Sequence, residues 1–401
     1  MDLRSNFIKY CQFNTRSSES SLTAPSTSTQ LDFAKNVLVP QLNELGLSDV
    51  ILTSQGIVYA KLASNDPTIN EKIGLVAHMD TADYESEHVN PIVKENYDGL
   101  PISLANGRQL DCDQFPWLTH AIGKTIIHTD GTTLLGGDDK AGIAIIMEVL
   151  ARLAYDSSIK HGQISIAFTP DEEVGRGTEN FDVQLFDADF AYTVDGGDII
   201  YIADETFNAS RAVIEIKGRS IHPGSAKNQM VNAADIAVEL ASYLPKQQRP
   251  QYTDGSEGFF HLDHIEANCE HALLTYIIRD HDHLKLKEKK QLLKSIVEML
   301  RIEYGDCIDL KLSDQYRNMK IVLKDHPQVV QRVVDAYENL GVSYQFEKIR
   351  GGTDGANLSF MGLPCPNLGT GDYNCHGPYE YVVVDEMETM CDIIVEMIRG
   401  N

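Results

Sequence analysis

The stretch from Lys72 to Asp80 reads KIGLVAHMD. Its apolar run is almost unbroken and ends on a histidine and an acid two residues apart. A strand with one wet face alternates polar and apolar residues. A run without that alternation belongs to a strand covered on both faces, as in a parallel sheet with helices above and below. His78 and Asp80, at i and i+2, share one face of it. Two further short apolar runs also end in acids. QISIAFT leads into PDEE, where Glu172 and Glu173 are adjacent, and FAYTVD ends on Asp195.

Helical patterns lie between these runs. KAGIAIIMEVLARLA, Lys140 to Ala154, carries Ile143, Ile146, Val149 and Leu150 on one side. Leu3, Phe7, Ile8 and Cys11 predict a short opening helix. SSESSLTAPSTST, Ser17 to Thr29, is a polar loop, and LDFAKNVLVPQLNELG predicts a helix closed by Gly46 that Pro40 must kink or interrupt. Strands alternating with helices predict an α/β fold with a mostly parallel sheet flanked by helices.

From about Asn208 the character changes. SRAVIEIKG alternates, Val231 to Leu244 is helix-like, and GFFHLDHIEANCEHALLTYIIRDHDH predicts two strands before the charged amphipathic helix of LKEKKQLLKSIVEMLRIEYG. This β-α-β-β-α pattern predicts a smaller inserted α+β domain over 208–316. Residues 1–207 and 317–401 then form the two parts of a catalytic domain, the second with helices from Gln328 to Leu340 and Asp385 to Arg399.

The 401 residues carry 34 Lys and Arg against 59 Asp and Glu, a net charge of −25. That balance argues against nucleic acid, whose phosphates need a cationic surplus. The seven cysteines are odd in number, scattered and without a CxxC, so neither a disulfide framework nor a structural zinc knot is expected. No signal-peptide pattern and no run of about 18 apolar residues occurs, which predicts a cytoplasmic protein with no membrane partner.

In an open α/β sheet, ligands sit beyond the carboxyl ends of the strands. LLGGDDKAG sets Asp138 and Asp139 between a glycine turn and a helix, and YNCHGPYE carries His376. Each piece has a plain structural explanation. Asp138 or Asp139 can be a helix N-cap, Glu172 and Glu173 can be first-turn acids, and Asp195 can be a turn residue. Together, acids and imidazole at successive strand ends are costly to crowd without a cation. Two zinc ions about 3.5–4 Å apart, bridged by a carboxylate, would make the crowding useful. RDHDH, Arg279 to His283, has no third ligand nearby in sequence and reads as an exposed strand end.

HMDTA, DGTTLLGGDDKAG, FTPDEEVGRG, YTVDGG, SIHPGSAKNQMVNA, IRGGTDGANLSFMGLPCPNLGTG and NCHG stand in the order and spacing of the peptidase T family. Over essentially its whole length the chain resembles this tripeptide aminopeptidase branch of the co-catalytic zinc metallopeptidases. That superfamily also contains carboxypeptidases, dipeptidases and aminoacylases. The resemblance implies that His78 binds one zinc, with Asp80 behind it orienting the ring. Asp138 would bridge, with a cis peptide just after it, and Asp195 would complete the first site. Glu173 and His376 would complete the second, leaving Glu172 as general base for a hydroxide held by two zinc ions, with cobalt or manganese as substitutes.

The implied substrates are short peptides, mainly tripeptides, cleaved at the N-terminal peptide bond. A dipeptidase or N-acyl-amino-acid deacylase of the same fold is the alternative, and a non-catalytic binding protein is disfavoured by the complete ligand set. The inserted domain would be a lid or dimerisation domain, making a homodimer. His222 would stabilise an oxyanion, and Arg279 and Arg350 would grip the substrate carboxylate. On the residues alone, a turn-anchoring His222 and structural arginines stay equally open. Gly137 stands where the family often has alanine, Cys375 where an aromatic is common, and Pro378–Tyr379 where a basic pair can occur. None of these removes a ligand, and Cys375 reads as a reduced thiol.

Overall fold

The computed structural model describes residues 2–399. The chain divides into two compact units. One takes the residues up to Asp204, Ile321–Glu347 and the chain from Thr353 onward; the other takes Glu205–Lys320 and Lys348–Gly352.

The first unit is built on an eight-stranded sheet. In spatial order its strands are Ser48–Leu52, Val58–Leu62, Gln163–Thr169, Lys72–His78, Phe190–Val194, Asn367–Leu368, Tyr201–Thr206 and Gln345–Ile349. The centre is parallel: Lys72–His78 pairs in parallel with Gln163–Thr169 and with Phe190–Val194, which pairs in parallel with Asn367–Leu368. Val58–Leu62 joins antiparallel to Gln163–Thr169, and Tyr201–Thr206 antiparallel to Asn367–Leu368. The sheet is therefore mixed, with a parallel centre.

The unbroken apolar run has the expected cause. Ile73, Leu75 and Ala77 enter one core with the helices Leu3–Cys11, Gly137–Tyr155, Pro327–Leu340 and Val384–Ile398. On the other face Val76, Ala167 and Ala191 meet Phe181, Phe186, Leu358 and Leu363. Gly74 allows that second layer to come close, since a Cβ there would stand 2.5 Å from the Phe186 ring. Parallel register sets His78 opposite Thr169, so the HMD and PDEE segments leave the sheet side by side.

Pro40 is absorbed without a break. A π-helical segment, Ala34–Leu38, lies between Ser28–Phe33 and Val39–Glu44. Such a widened turn accommodates a residue that has no N–H to donate. A small antiparallel sheet that the sequence reading did not anticipate joins Asp372–Tyr373, Tyr381–Val383, Ile126–His128 and Ile92–Lys94. Its hairpin from Asp372 to Val383 carries the His376 loop.

The second unit is an antiparallel sheet ordered Phe259–Ala267, His271–Asp280, Asn208–Lys217, Ile308–Tyr316. The helices Ala233–Tyr243 and His283–Tyr304 pack on it through Ile236, Leu240, Leu293 and Leu300. The last strand, IDLKLSDQY, was not expected. It is an edge strand that buries little beyond Ile308, so its hydrophobic signal is weak.

Candidate metal centre

His78 ends its strand nearly fully buried. Its Nε2 lies 2.8 Å from Asp138 Oδ1 and 3.7 Å from Asp195 Oδ1. Its Nδ1 lies 3.1 Å from the main-chain oxygen of Asp80 and 3.3 Å from Asp80 Oδ1. A ring whose Nδ1–H is donated in this way leaves Nε2 as the ligating nitrogen. Across the cluster, His376 Nε2 is 3.1 Å from Asp138 Oδ2 and 3.1 Å from Glu173 Oε1. Asp138 thus turns one oxygen to each imidazole. The ligand atoms of His78, Asp138 and Asp195 lie within 4.8 Å of one another, as do those of Asp138, Cys375 and His376.

Buried hydrogen bonds hold these groups in place. Asp139 accepts from the N–H of His78 at 3.1 Å and of Gly142 at 3.0 Å. The Asp138–Asp139 peptide is cis, and helical backbone begins only after Asp139. The two readings of the DD pair therefore divide between them: Asp139 caps the helix, and Asp138 faces the imidazoles. Glu380, 2% exposed, accepts from the N–H groups of Leu135, Gly136 and Asp138 at 2.7, 2.8 and 3.2 Å. Asp80, fully buried, accepts from the N–H groups of Glu172 and Glu173 at 3.0 and 3.1 Å. Asp171 accepts from Ser26 N–H at 2.7 Å, from Gln30 Nε2 at 2.9 Å and from the Ser26 hydroxyl. The serine-rich loop is therefore a strut under the acid pair.

The electrostatics describe a crowd of acids short of positive charge. Burial pushes the Glu173 carboxyl up to about 7, and the Asp138 charge adds to the effect. Burial holds Glu172 well above the carboxylate range; His78 opposes this, while Asp195, Asp354 and Glu173 reinforce it. Burial also raises Asp195. Asp138 alone is held low, because the two imidazoles outweigh its burial. His376 is raised to about 11 by Asp138 and Glu173. Burial works against the proton on His78, yet Asp138, Asp195 and Asp80 hold its pKa well above the ordinary histidine value.

The donor set fits a pair of divalent ions. Glu173 Oε1 belongs to a side chain only 8% exposed and has no hydrogen-bond partner, although it faces the His376 nitrogen. Carboxylate oxygens and neutral imidazole nitrogens are ordinary zinc donors. One ion would be held by His78, Asp195 and Asp138, the other by Asp138, Glu173 and His376.

The remaining expected residues lie in the second unit. His222 is exposed and its Nδ1 accepts the N–H of Gly224 at 3.1 Å, so it anchors its own turn. Arg350 does not present the free fork expected of it. It donates to the carbonyls of Gly255 and Glu257 and to Thr253. Arg279 donates to Gln315 Oε1 at 2.9 Å and lies over the Tyr316 ring. RDHDH is not an exposed strand end either. Asp280 and His281 are buried, and His281 Nδ1 lies 3.1 Å from the carbonyl oxygen of Thr206.

Three supporting acids escaped the sequence reading. Glu380 stands four residues after His376, Asp171 next to Glu172, and Asp354 between the glycines of RGGTDGAN. Asp354 is buried and accepts from Thr169 Oγ1 at 2.7 Å; burial raises it to about 7. Their proximity in sequence to ligands or glycine turns was the available signal, but nothing local tells a supporting acid from a surface one.

The profile of peptidase family M20/M25/M40 matches residues 127–400. A peptidase T from Fusobacterium nucleatum is 48% identical, aligned over 100% of this chain and 97% of its own length. The crystal structure of a tripeptidase from Staphylococcus aureus superposes with a TM-score of 0.80 at 24% identity, covering 99% of this chain and 97% of that one. A dinuclear metal-binding peptidase of the M20 family from Bacillus subtilis superposes with a TM-score of 0.65 at 14% identity, covering 99% and 97%.

Proposed function

The chain belongs to peptidase family M20/M25/M40, among its peptidase T members, and from that premise we infer that it is a metallo-aminopeptidase that releases the N-terminal residue of tripeptides. The observation that carries this reading is Asp138, whose two oxygens are shared between His78 and His376 beside an adjacent glutamate pair.

Bound divalent ions would supply Lewis acidity to the scissile carbonyl and make water acidic near neutrality. The chain's own residues do the rest. Asp80 fixes the tautomer and direction of His78. By taking the N–H groups of Glu172 and Glu173, it also sets the turn that points one carboxylate at His376. Glu172 is the partner left without a ligand role. As general base it would accept a proton from water and return it to the departing amine. In the metal-free chain, burial raises its affinity for that proton.

Zinc is the proposed metal, with cobalt or manganese as substitutes. The second unit is proposed as a lid or dimerisation domain, from which His222 is the one expected substrate group carried forward. A cytoplasmic location is proposed from the free cysteines; among the described residues no helix is long and apolar enough to cross a membrane.

The test is a panel of di-, tri- and tetrapeptides and N-acyl-amino acids, assayed after reconstitution with each metal. Tripeptides are expected to be cleaved fastest, from the N-terminus. Faster turnover of dipeptides or acylated amino acids would overturn the assignment.

A further inference from the structure

Cys375 has a setting that the family resemblance does not provide. It precedes His376 directly, in the loop of the Asp372–Val383 hairpin, and it is exposed. Its sulfur lies within 4.8 Å of the ligand atoms of both Asp138 and His376. A second observation points to a cation at the same place. Glu173, its side chain 8% exposed, brings Oε1 to 3.1 Å from the same His376 nitrogen, an ion pair whose geometry falls short of a hydrogen bond.

We propose that Cys375 is a further protein ligand of the ion held by Asp138, Glu173 and His376, adding a thiolate to a site otherwise made of oxygen and nitrogen. This rests on the dinuclear reading above and goes beyond it. The two ions then become unequal. The ion of His78, Asp195 and Asp138 keeps three protein donors, the number typical of catalytic zinc with an open position. The ion at His376 would gain a fourth, so that it could share a water with its neighbour only by becoming five-coordinate. A sulfur donor also makes that site prefer zinc and other thiophilic ions over manganese, which favours oxygen ligands. The bound ion thereby shields the sulfur from reagents in solution.

Cobalt(II) alone, added to the metal-stripped full-length chain, reads this directly. The parent should take up two cobalt ions per chain and develop sulfur-to-cobalt charge-transfer absorption in the near ultraviolet. Cys375→Ser should lose that absorption, still bind both ions, and hold one of them about tenfold more weakly. Separately, the rate at which a thiol reagent modifies Cys375, followed by peptide mapping, should fall at least about tenfold when zinc is added to the stripped parent. Two bound cobalt ions without the sulfur absorption, or absorption that survives Cys375→Ser, would overturn the thiolate assignment while leaving the dinuclear reading intact. Fewer than two ions in the parent would overturn both. Should the serine variant misfold, zinc protection of the thiol in the parent decides the question: unchanged reactivity overturns the proposal.

Discussion

Asp80 joins two ligand loops through one carboxylate: Oδ1 accepts the N–H of Glu172 at 3.0 Å, and Oδ2 accepts that of Glu173 at 3.1 Å. The same Oδ1 lies 3.3 Å from His78 Nδ1. One buried acid therefore orients both the His78 ring and the glutamate pair.

Asp80→Asn keeps one acceptor and turns an amide group towards an N–H or the ring. It should lower kcat by roughly 10–100-fold with little change in KM, since outer groups of metal sites carry effects of that size. Steady-state kinetics on a tripeptide check this; a rise in KM at unchanged kcat would contradict the positioning role.

The glutamates should separate by function. Glu172→Gln should cut kcat by about 10²–10⁴-fold, the range for a lost general base, while still binding two ions. Glu173→Gln should instead weaken the binding of one ion. Metal titration beside kinetics tells them apart, and equal metal loss in both variants would refute the division of labour.

Glu380 holds the turn that presents Asp138 through three backbone N–H groups. Glu380→Gln cannot satisfy all three and should weaken metal binding by roughly 10–100-fold. Glu386 is a buried acid that accepts from Lys124 and the Tyr373 hydroxyl, away from that turn. Glu386→Gln is expected to leave metal affinity unchanged. Similar losses in both would mean general destabilisation.

Gly137 has no room for a side chain. A Cβ there would stand 2.6 Å from Val382 Cγ2 and 2.7 Å from Asp372 Oδ1, and Asp372 is itself buried. Gly137→Ala should destabilise by about 1–3 kcal/mol, as overpacking does. Asp372→Ala in the same chain should restore part of the loss. Thermal melts of the parent and the two variants decide this; an unaltered melt for Gly137→Ala would show that the loop can give way.

The metal-free protein should lose stability as pH rises from about 5 to 8. Glu173 and Asp354 are both raised to about 7 in the folded chain, so through that window the folded state binds more protons than the unfolded one. Stability then falls with pH. The low value of Asp138 acts only in acid, below the ordinary carboxylate range. His376, raised to about 11, extends the loss into alkali. Melting in the presence of a chelator should show the decline, and added zinc should remove it. A flat or rising profile for the metal-free protein would contradict the assignment of these groups.

How much was legible is clearest at the strand ends. KIGLVAHMD announced a strand covered on both faces and put His78 at its end, because burial on two sides forbids polar alternation. The IDLKLSDQY edge strand went unseen because it buries little beyond Ile308, and the small sheet under His376 because its strands, though mostly buried, are only two or three residues long and too short to show a period. The DD pair shows the limit best: either aspartate could cap a helix or face a cation.

The sequence by itself determined which chemical groups are available and that strands deliver them to one edge, since strand direction and side-chain facing follow from short-range pattern. Only the tertiary structure decided how they meet. Asp138 and His376 are 238 positions apart, and their meeting depends on sheet pairing and on the backbone N–H groups of the Asp138 turn that buried Glu380 accepts. The partners that Arg279 and Arg350 have in the folded chain are likewise carbonyls, an amide and rings that other segments bring to them. Contacts of that kind are set by packing across the whole chain, and no local run of residues encodes them.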